Sequence, residues 1–540
     1  MTVLPSTIQS LLVCRDVANA PVEGTPRQVV ATTVTASTPA GYHDVVIAAL
    51  NGKGTEPVLA VLEALDGDCK GQKVLILAFA DATDTARTTP FRTAAPTTRT
   101  FLYRHWSWPK AVATGAGSET TVVSSYRTEA DDFWNGFQML AMYGSNADLE
   151  AITDFVASSD TFTHGAMAVA SAAGDACLVV QAVKTAGTQV TADAGKAIER
   201  EVVTDTGEPE GVVVGAAENL GLTITPEIRG LDVAAADGVT AAAPGELKAP
   251  LATAFEQVLG TGDTAAAGGT VTTPTVTTGA RFAAGSIAMV NGDAFGIVAV
   301  NTTATPDELT VPAGHLRSAP SATDVIYGAA SYKPKTSGHG SCSWLTWIGR
   351  TELIAMTGGM AAWKAKINRN ELARYELEWS FIDCLRATFP QPHYDRYNGA
   401  TPLVGRGNVS RVVFDGAELA AEVLSAEIEL LQAPLNPTAA FGAVENKGAR
   451  RYGNTTASVK LLLWMEDSSY WHRYRALSEG DLLLQVGRVP TAAWALWGAR
   501  SQIVAPPEDG EADGLKTVSV TFRLLRPSTQ GLTSFVIAHL

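Results

Sequence analysis

A strict two-residue alternation runs through the C-terminal part of the chain and restricts it to sheets with one buried face. In RYELEWSFID, Tyr375, Leu377, Trp379 and Phe381 alternate with Glu376, Glu378 and Ser380. LSAEIEL repeats the pattern with Ala426, Ile428 and Leu430, and KTVSVTFRLLR does so with Val518, Val520, Phe522 and Leu524. Successive side chains of an extended chain point to opposite faces, so one face is buried and the other meets water or a neighbour. This is the signature of antiparallel sheets closed into barrels or sandwiches. The fold class read from the chain is therefore mainly β (α+β): antiparallel β-barrel or sandwich domains with a few short helices.

Between Lys460 and Val489 the spacing predicts strand, helix, strand. Ser468 or Ser469 caps a helix that buries Trp471, Tyr474 and Leu477, and Gly480 ends it. Gly- and Pro-rich text marks loops at 259–280, 389–402 and 505–514. Boundaries placed at TDTGEPEG and KTSGHGS divide the chain into a β-rich module over 1–205 and a barrel region over 206–338 and 339–540. Trp344, Trp347, Trp363, Trp379, Trp464, Trp471, Trp494 and Trp497 all follow residue 340, which places the densest core in the last segment.

One passage is written almost twice. FTHGAMAVASAAGDACLVVQAV from Phe162 and FAAGSIAMVNGDAFGIVAV from Phe282 share a Gly-Asp-Ala turn, at Gly174 and Gly292, 292 − 174 = 118 residues apart. Gly-Asp between apolar runs reads as a hairpin. Upstream at the same offset, FWNGFQMLAMYG (from Phe133) lies over LATAFEQVLGTG (from Leu251), each reading as a short helix stopped by glycine. Helix then hairpin, twice, predicts an internal duplication, with 1–205 as a diverged copy of the barrel-type domain.

Charge and chemistry exclude several functions. Acidic residues outnumber basic ones 55 to 40, a net −15 that opposes a general nucleic-acid-binding surface, since phosphate contacts need clustered Lys and Arg. The five cysteines have no paired framework and read as reduced thiols. Neither a signal peptide nor an 18-residue apolar run is legible, so no membrane is expected. Gly195-Lys196 lacks the rest of a phosphate-binding loop, and no Gly-x-Ser-x-Gly or His-Glu-x-x-His occurs. His339 with Cys342, and Cys384 with His393 and Asp395, are the only thiol–imidazole neighbours, and they read as turn residues and buried thiols. Catalytic, cofactor and metal residues are all expected to be absent, and the chain is not expected to be an enzyme. The basic loop ENKGARRYGN, with Lys447, Arg450, Arg451 and Tyr452, is the one candidate contact site, for an acidic neighbouring subunit or a phosphate.

With these residues in view, the region 205–540 resembles the tail tube proteins of phages with long, non-contractile tails. VGAAENLGLTITPEIRGL is similar to the family's first tube strands and ELKAPLATAFEQVLGTG to its early helix. The stretch DVIYGAASYKPKTSGHGSCSWLTWIGRTELIAMTGGMAAWKAKIN follows the family's order of a Tyr-x-Pro strand, a Ser-rich strand and a Gly-rich reversal. The resemblance implies a structural virion protein, assembled in the host cytoplasm. Its partners are copies of itself, in stacked rings around a hollow conduit for DNA, and other tail proteins at the tube ends. It implies a ring of three if each chain supplies two tube modules and of six otherwise, with DNA passing unbound. Alternatives are a distal tail or tail terminator protein, a secreted carbohydrate-binding β-sandwich using the C-terminal tryptophans as stacking platforms, and, last, a hydrolase with hidden carboxylates.

Overall fold

The structure, a computed structural model, is mainly β and antiparallel. It describes residues 8–540 except 16–21, 37–41, 68, 92–98, 107, 126–133, 135–136, 144–146, 184, 193–196, 201–210, 215–219, 234, 240, 245–246, 369–370, 393–410, 420–422, 435–451, 454–456, 465–468 and 530.

The alternating segments form one nearly closed, barrel-like sheet. Leu220–Pro226, Arg374–Ser380, the distal half of Glu352–Asn368, Val423–Leu431, Ala457–Trp464, Leu515–Leu524 and Trp494–Ile503 are neighbours in that order. Val536–His539, Ala330–Pro334 and Phe255–Leu259 continue it, so strands from both sides of the expected 338 boundary share one sheet. The inward set is the expected one. Tyr375, Leu377, Trp379, Ile428, Val459, Val518 and Phe522 pack with Trp344, Trp363 and Trp494 in the largest core of the molecule. Trp344 meets Trp379 at 5.2 Å and Trp363 meets Tyr375 at 5.7 Å, both edge-on, the arrangement ring quadrupoles favour.

Glu352–Asn368 is 17 residues long and belongs to two sheets in turn. Its first half pairs with Cys342–Ile348 and Asp383–Thr388, its second with Arg374–Ser380 and Val423–Leu431. The changeover falls at Gly358-Gly359. Gly358 has φ +70°, and a Cβ on Gly359 would lie 2.4 Å from the Phe381 ring and 2.8 Å from the Cys342 carbonyl oxygen. Only glycine admits both the conformation and the approach. The Gly-rich reversal of this stretch is at Gly349, while Gly358-Gly359 lies inside the strand.

The 118-residue repeat does not survive as structure. Ile287–Val290 and Asp293–Gly296 do form a hairpin, turning at Asn291-Gly292, with φ +50° and +80°. At the same offset 169–172 form no strand, and Cys177–Ala182 pairs with Gln138–Ala141 and Ile8–Arg15 instead. The expected helix from Phe133 is the strand Gln138–Ala141 within the described residues, held centrally between Asp148–Val156 and Cys177–Ala182. The expected helix from Leu251 stops at Ala254, and Phe255–Leu259 pairs with Ala330–Pro334 instead. Short apolar runs fit either period, and long-range pairing overrode the local spacing. The third helix does form, over Ser469–Arg475, but it buries Tyr470; Trp471 and Tyr474 are half-buried and Leu477 is exposed. The stretch 505–514 is largely a hairpin arm, Glu508–Ala512, and not open loop.

A different duplication is present. Residues 22–106 and 109–182 share six segments in the spatial order first, sixth, third, fourth, fifth, second; the first copy adds a seventh strand, Thr33–Ala36, at the edge beside His43–Val46, and the first segment of the second copy, 109–113, is held by backbone hydrogen bonds without being a regular strand. In the first copy these are Val22–Ala31, His43–Val46, Ala60–Ala64, Lys73–Ala80, Thr85–Thr88 and Arg99–Trp106. In the second they are 109–113, Thr121–Val123, Gln138–Ala141, Asp148–Val156, Thr161–His164 and Cys177–Ala182. Fourth and fifth strands join through the same device. A single 3₁₀ turn ends on a left-handed aspartate, Asp84 (φ 53°) or Asp160 (φ 50°), 160 − 84 = 76 residues apart. Even the side-chain bonds repeat: Thr85 Oγ1 donates to the Thr83 carbonyl at 3.0 Å and Thr161 Oγ1 to that of Ser159 at 3.0 Å.

Candidate functional site

The outward face of the barrel sheet is built from the polar half of each alternating strand. Register places Glu376 beside Lys364, Lys364 beside Glu429, Lys366 beside Glu427 and Glu427 beside Lys460, so charges of opposite sign adjoin across four strands. Lys364 Nζ lies 3.6 Å from Glu378, Lys366 Nζ 3.7 Å from Glu427 and Lys460 Nζ 3.5 Å from Glu508. Each exposed pair is worth only about 0.2–1 kcal/mol, so their consequence is for the surface more than for stability. Glu427 and Glu429 are thus members of a charge lattice. The face is dense in charge of both signs.

A second cluster sequence reading missed sits where the Ile287–Gly296 hairpin meets the barrel. Asp293, the residue after the tight turn, is buried and receives the Arg317 backbone N–H at 3.1 Å and its Nη1 at 3.2 Å. Arg317 also grips Glu418 at 2.7 Å and 3.1 Å, and Arg411, nearly fully buried, reaches Glu418 at 3.3 Å and the carbonyls of Gly314 and His315. The hydrogen bonds from Arg317 hold the Glu418 carboxyl below its ordinary value, while burial lowers Arg411. His315 accepts the Gly296 N–H at Nδ1, 3.1 Å, which leaves Nε2–H to donate to Asp481 at 2.6 Å. This fully buried imidazole is a cross-brace. Its partners come from positions up to 166 residues away, so no local spacing could reveal it.

Of the candidate loop, Lys447, Arg450 and Arg451 lie outside the described residues. Tyr452 does not project to a partner: it is buried, its hydroxyl donates to the Ala361 carbonyl at 2.8 Å, and its ring meets His339 edge-on at 5.0 Å. An aromatic ring that covers apolar core and satisfies its hydroxyl is held inside. Tyr452 and His339 form one end of a cleft of about 490 Å³, which Lys335, Arg523, Arg526 and Ser534 also line. No carboxylate lines it among the described residues.

The thiol–imidazole neighbours do not assemble. His339 Nε2 donates to the Lys335 carbonyl at 3.1 Å, whereas Cys342 is buried against Thr253 Oγ1 at 3.6 Å. Burial pushes the Cys384 thiol up, and His393 and Asp395 lie outside the described residues. All five cysteines are free, and among the described residues no group of three His, Cys, Asp or Glu side chains is placed to hold a metal ion. No described helix is long and apolar enough to cross a membrane. Six of the eight C-terminal tryptophans, Trp344, Trp347, Trp363, Trp379, Trp494 and Trp497, are buried and so cannot serve as sugar-stacking platforms. Set against known proteins, the chain matches no family model, and no curated protein matches it.

Proposed function

We propose that the chain is a structural virion protein that assembles with copies of itself into stacked rings, forming the hollow tail tube through which DNA passes. The observation that carries this reading is the outward barrel face, an extended sheet surface on which Lys364, Lys366 and Lys460 each face a glutamate on an adjoining strand. A wall of that kind holds its cations in place, so a passing phosphate backbone releases few counterions on meeting it and is not retained. The −15 net charge adds long-range repulsion of DNA. The similarity of 205–540 to tail tube proteins supplies the class of assembly. Because the 118-residue repeat folds differently in its two places, the ring proposed has six chains, each contributing one barrel. The tandem module of residues 22–182 is then an addition to the tube wall. Negative-stain imaging of the concentrated protein tests the reading: rings or tubes with an open bore are expected. A particle that stays monomeric at millimolar concentration overturns it.

A further inference from the structure

The hairpin of Glu508–Ala512 and Leu515–Leu524 is net acidic at its turn end, where four carboxylates outnumber Lys516, and basic at its far end. The strand Leu515–Leu524 pairs with Glu508–Ala512 through a turn at Asp513-Gly514, with φ +49° and +75°, the conformation of tight hairpins. Glu508, Asp509, Glu511 and Asp513 are all exposed on this arm, and beside them Leu515 presents an apolar tip that is 59% exposed. At the strand's far end, Arg523 and Arg526 are exposed at the cleft shared with Lys335 and His339, and neither arginine pairs with a described carboxylate. The cleft floor supplies apolar surface from Leu524 and the stem of Lys335, whose ammonium donates to the Ala252 carbonyl at 2.6 Å. The hairpin tip and the cleft are therefore opposite in charge sign and alike in having an apolar centre.

They cannot meet within one chain. Nine residue steps of extended strand at roughly 3.3 Å each hold them about 30 Å apart, and the strand is fixed along its length by Ala457–Trp464. Two complementary patches kept apart on a rigid element can be satisfied only between copies, head to tail, which produces closed rings or stacks. We infer that the acidic hairpin 508–515 of one chain seats in the Arg523/Arg526 cleft of the next, making this the contact that orders the assembly. The inference rests on the self-assembly reading and adds the residues that join copies. Charge complementarity across such a contact sets register and partner choice.

Charge reversal on each side tests it in the full-length chain. One variant carries Glu511→Lys with Asp513→Lys, the other Arg523→Glu with Arg526→Glu; all four positions are exposed, and thermal melts verify folding. Sedimentation velocity is expected to show the wild type assembling and each variant alone needing at least about tenfold more protein to do so, a loss of roughly 1.4 kcal/mol per contact. An equimolar mixture of the two variants restores assembly, because alternating chains then pair Lys with Glu and Glu with Arg at successive contacts. Should a reversal compromise folding, the single-chain pair Asp513→Cys and Ser534→Cys substitutes for it, with intermolecular disulfide ladders expected under oxidation and their absence counting against the contact. A wild-type chain that never associates overturns both this contact and the tube reading. A wild type that assembles while the reversed variants assemble equally well, or a mixture that stays dissociated, overturns the contact alone.

Discussion

The two copies in residues 22–182 share six segments in one spatial order and the same left-handed aspartate turn, yet they fill their interiors differently. Phe79 in the first copy faces Ala86 across the fourth and fifth strands; Phe155 in the second faces Phe162, with ring centroids 4.6 Å apart. Thr88 is buried where the second copy buries His164. The first copy leans on the C-terminal strands, its Val61, Leu75, Phe101 and Trp106 packing with Leu345, Trp347, Leu353 and Leu385. Part of the second copy, with Met139, Phe155, Phe162 and Val179, forms a core nearly to itself. The contrast teaches that local hydrogen bonds preserve the turn, while the core is free to change wherever a neighbouring surface supplies the missing volume.

The strongest way to break the comparison is at the ion cluster by which the first copy holds Asp383. Asp383 sits almost fully buried against Lys73, Arg104 at 3.3 Å and the Trp106 indole N–H at 3.3 Å. Asp383→Ala leaves Lys73 without a carboxylate and Arg104 with Glu63 alone, at a cost of about 3–5 kcal/mol. Hydrogen exchange is expected to show lost protection concentrated in 60–106, with 137–182 less affected. Equal loss in both copies would mean they unfold as one unit.

Next in size are the interior substitutions. Phe162→Ala removes half of a tilted ring pair from a core made almost wholly of second-copy residues, an expected loss of about 3–5 kcal/mol in urea unfolding. Phe79→Ala is expected to cost less, because Phe79 faces only an alanine and lies at the edge of its core. A reversed order of costs would show that the first copy is packed as tightly as the second.

The turn substitutions sharpen what is common to the copies. Asp84→Val and Asp160→Val each force a β-branched residue into the left-handed region, at about 1–2 kcal/mol apiece. The two penalties should agree within about 0.5 kcal/mol. Glycine at either site should be tolerated.

Acid response separates the copies by the smallest effect. Burial lowers both His105, to about 3, and His164. The unfolded chain takes up a proton at each near pH 6.5, and the folded chain does not. Their stabilising contribution is therefore complete above about pH 6.5 and is lost as pH falls toward the folded values. Thermal melts between pH 7 and pH 5 should show a smaller decline for His164→Thr, which installs the first copy's residue. For His105→Gln, which installs the second copy's Gln181, the same relief is expected. An unchanged slope in either variant would remove that histidine from the acid response.

Much of the barrel was legible. The inward residues of RYELEWSFID, LSAEIEL and KTVSVTFRLLR are the buried ones, since a two-residue period translates directly into a face. The repeat was read in the wrong place. Matching Gly-Asp-Ala text at 118 residues was composition, while the true 76-residue copies share little beyond Phe79/Phe155 and Asp84-Thr85/Asp160-Thr161. The cleft was half legible: the basic text points to Tyr452, which lines it from within, whereas Arg523 and Arg526 look like the ends of an ordinary strand.

The sequence by itself determined that the chain is built of one-face-buried strands, where most glycine turns fall, and that its tryptophans gather after residue 340. Tertiary structure alone decided which strands are neighbours, that Phe255–Leu259 is extended, and that Asp293, Arg317, Arg411 and Glu418 converge. The physical reason is range. Alternation and turn preference act over a few residues and are written locally, whereas strand pairing and buried ion networks join residues as much as 166 or 310 positions apart. Their free energy is realised only when the whole sheet closes.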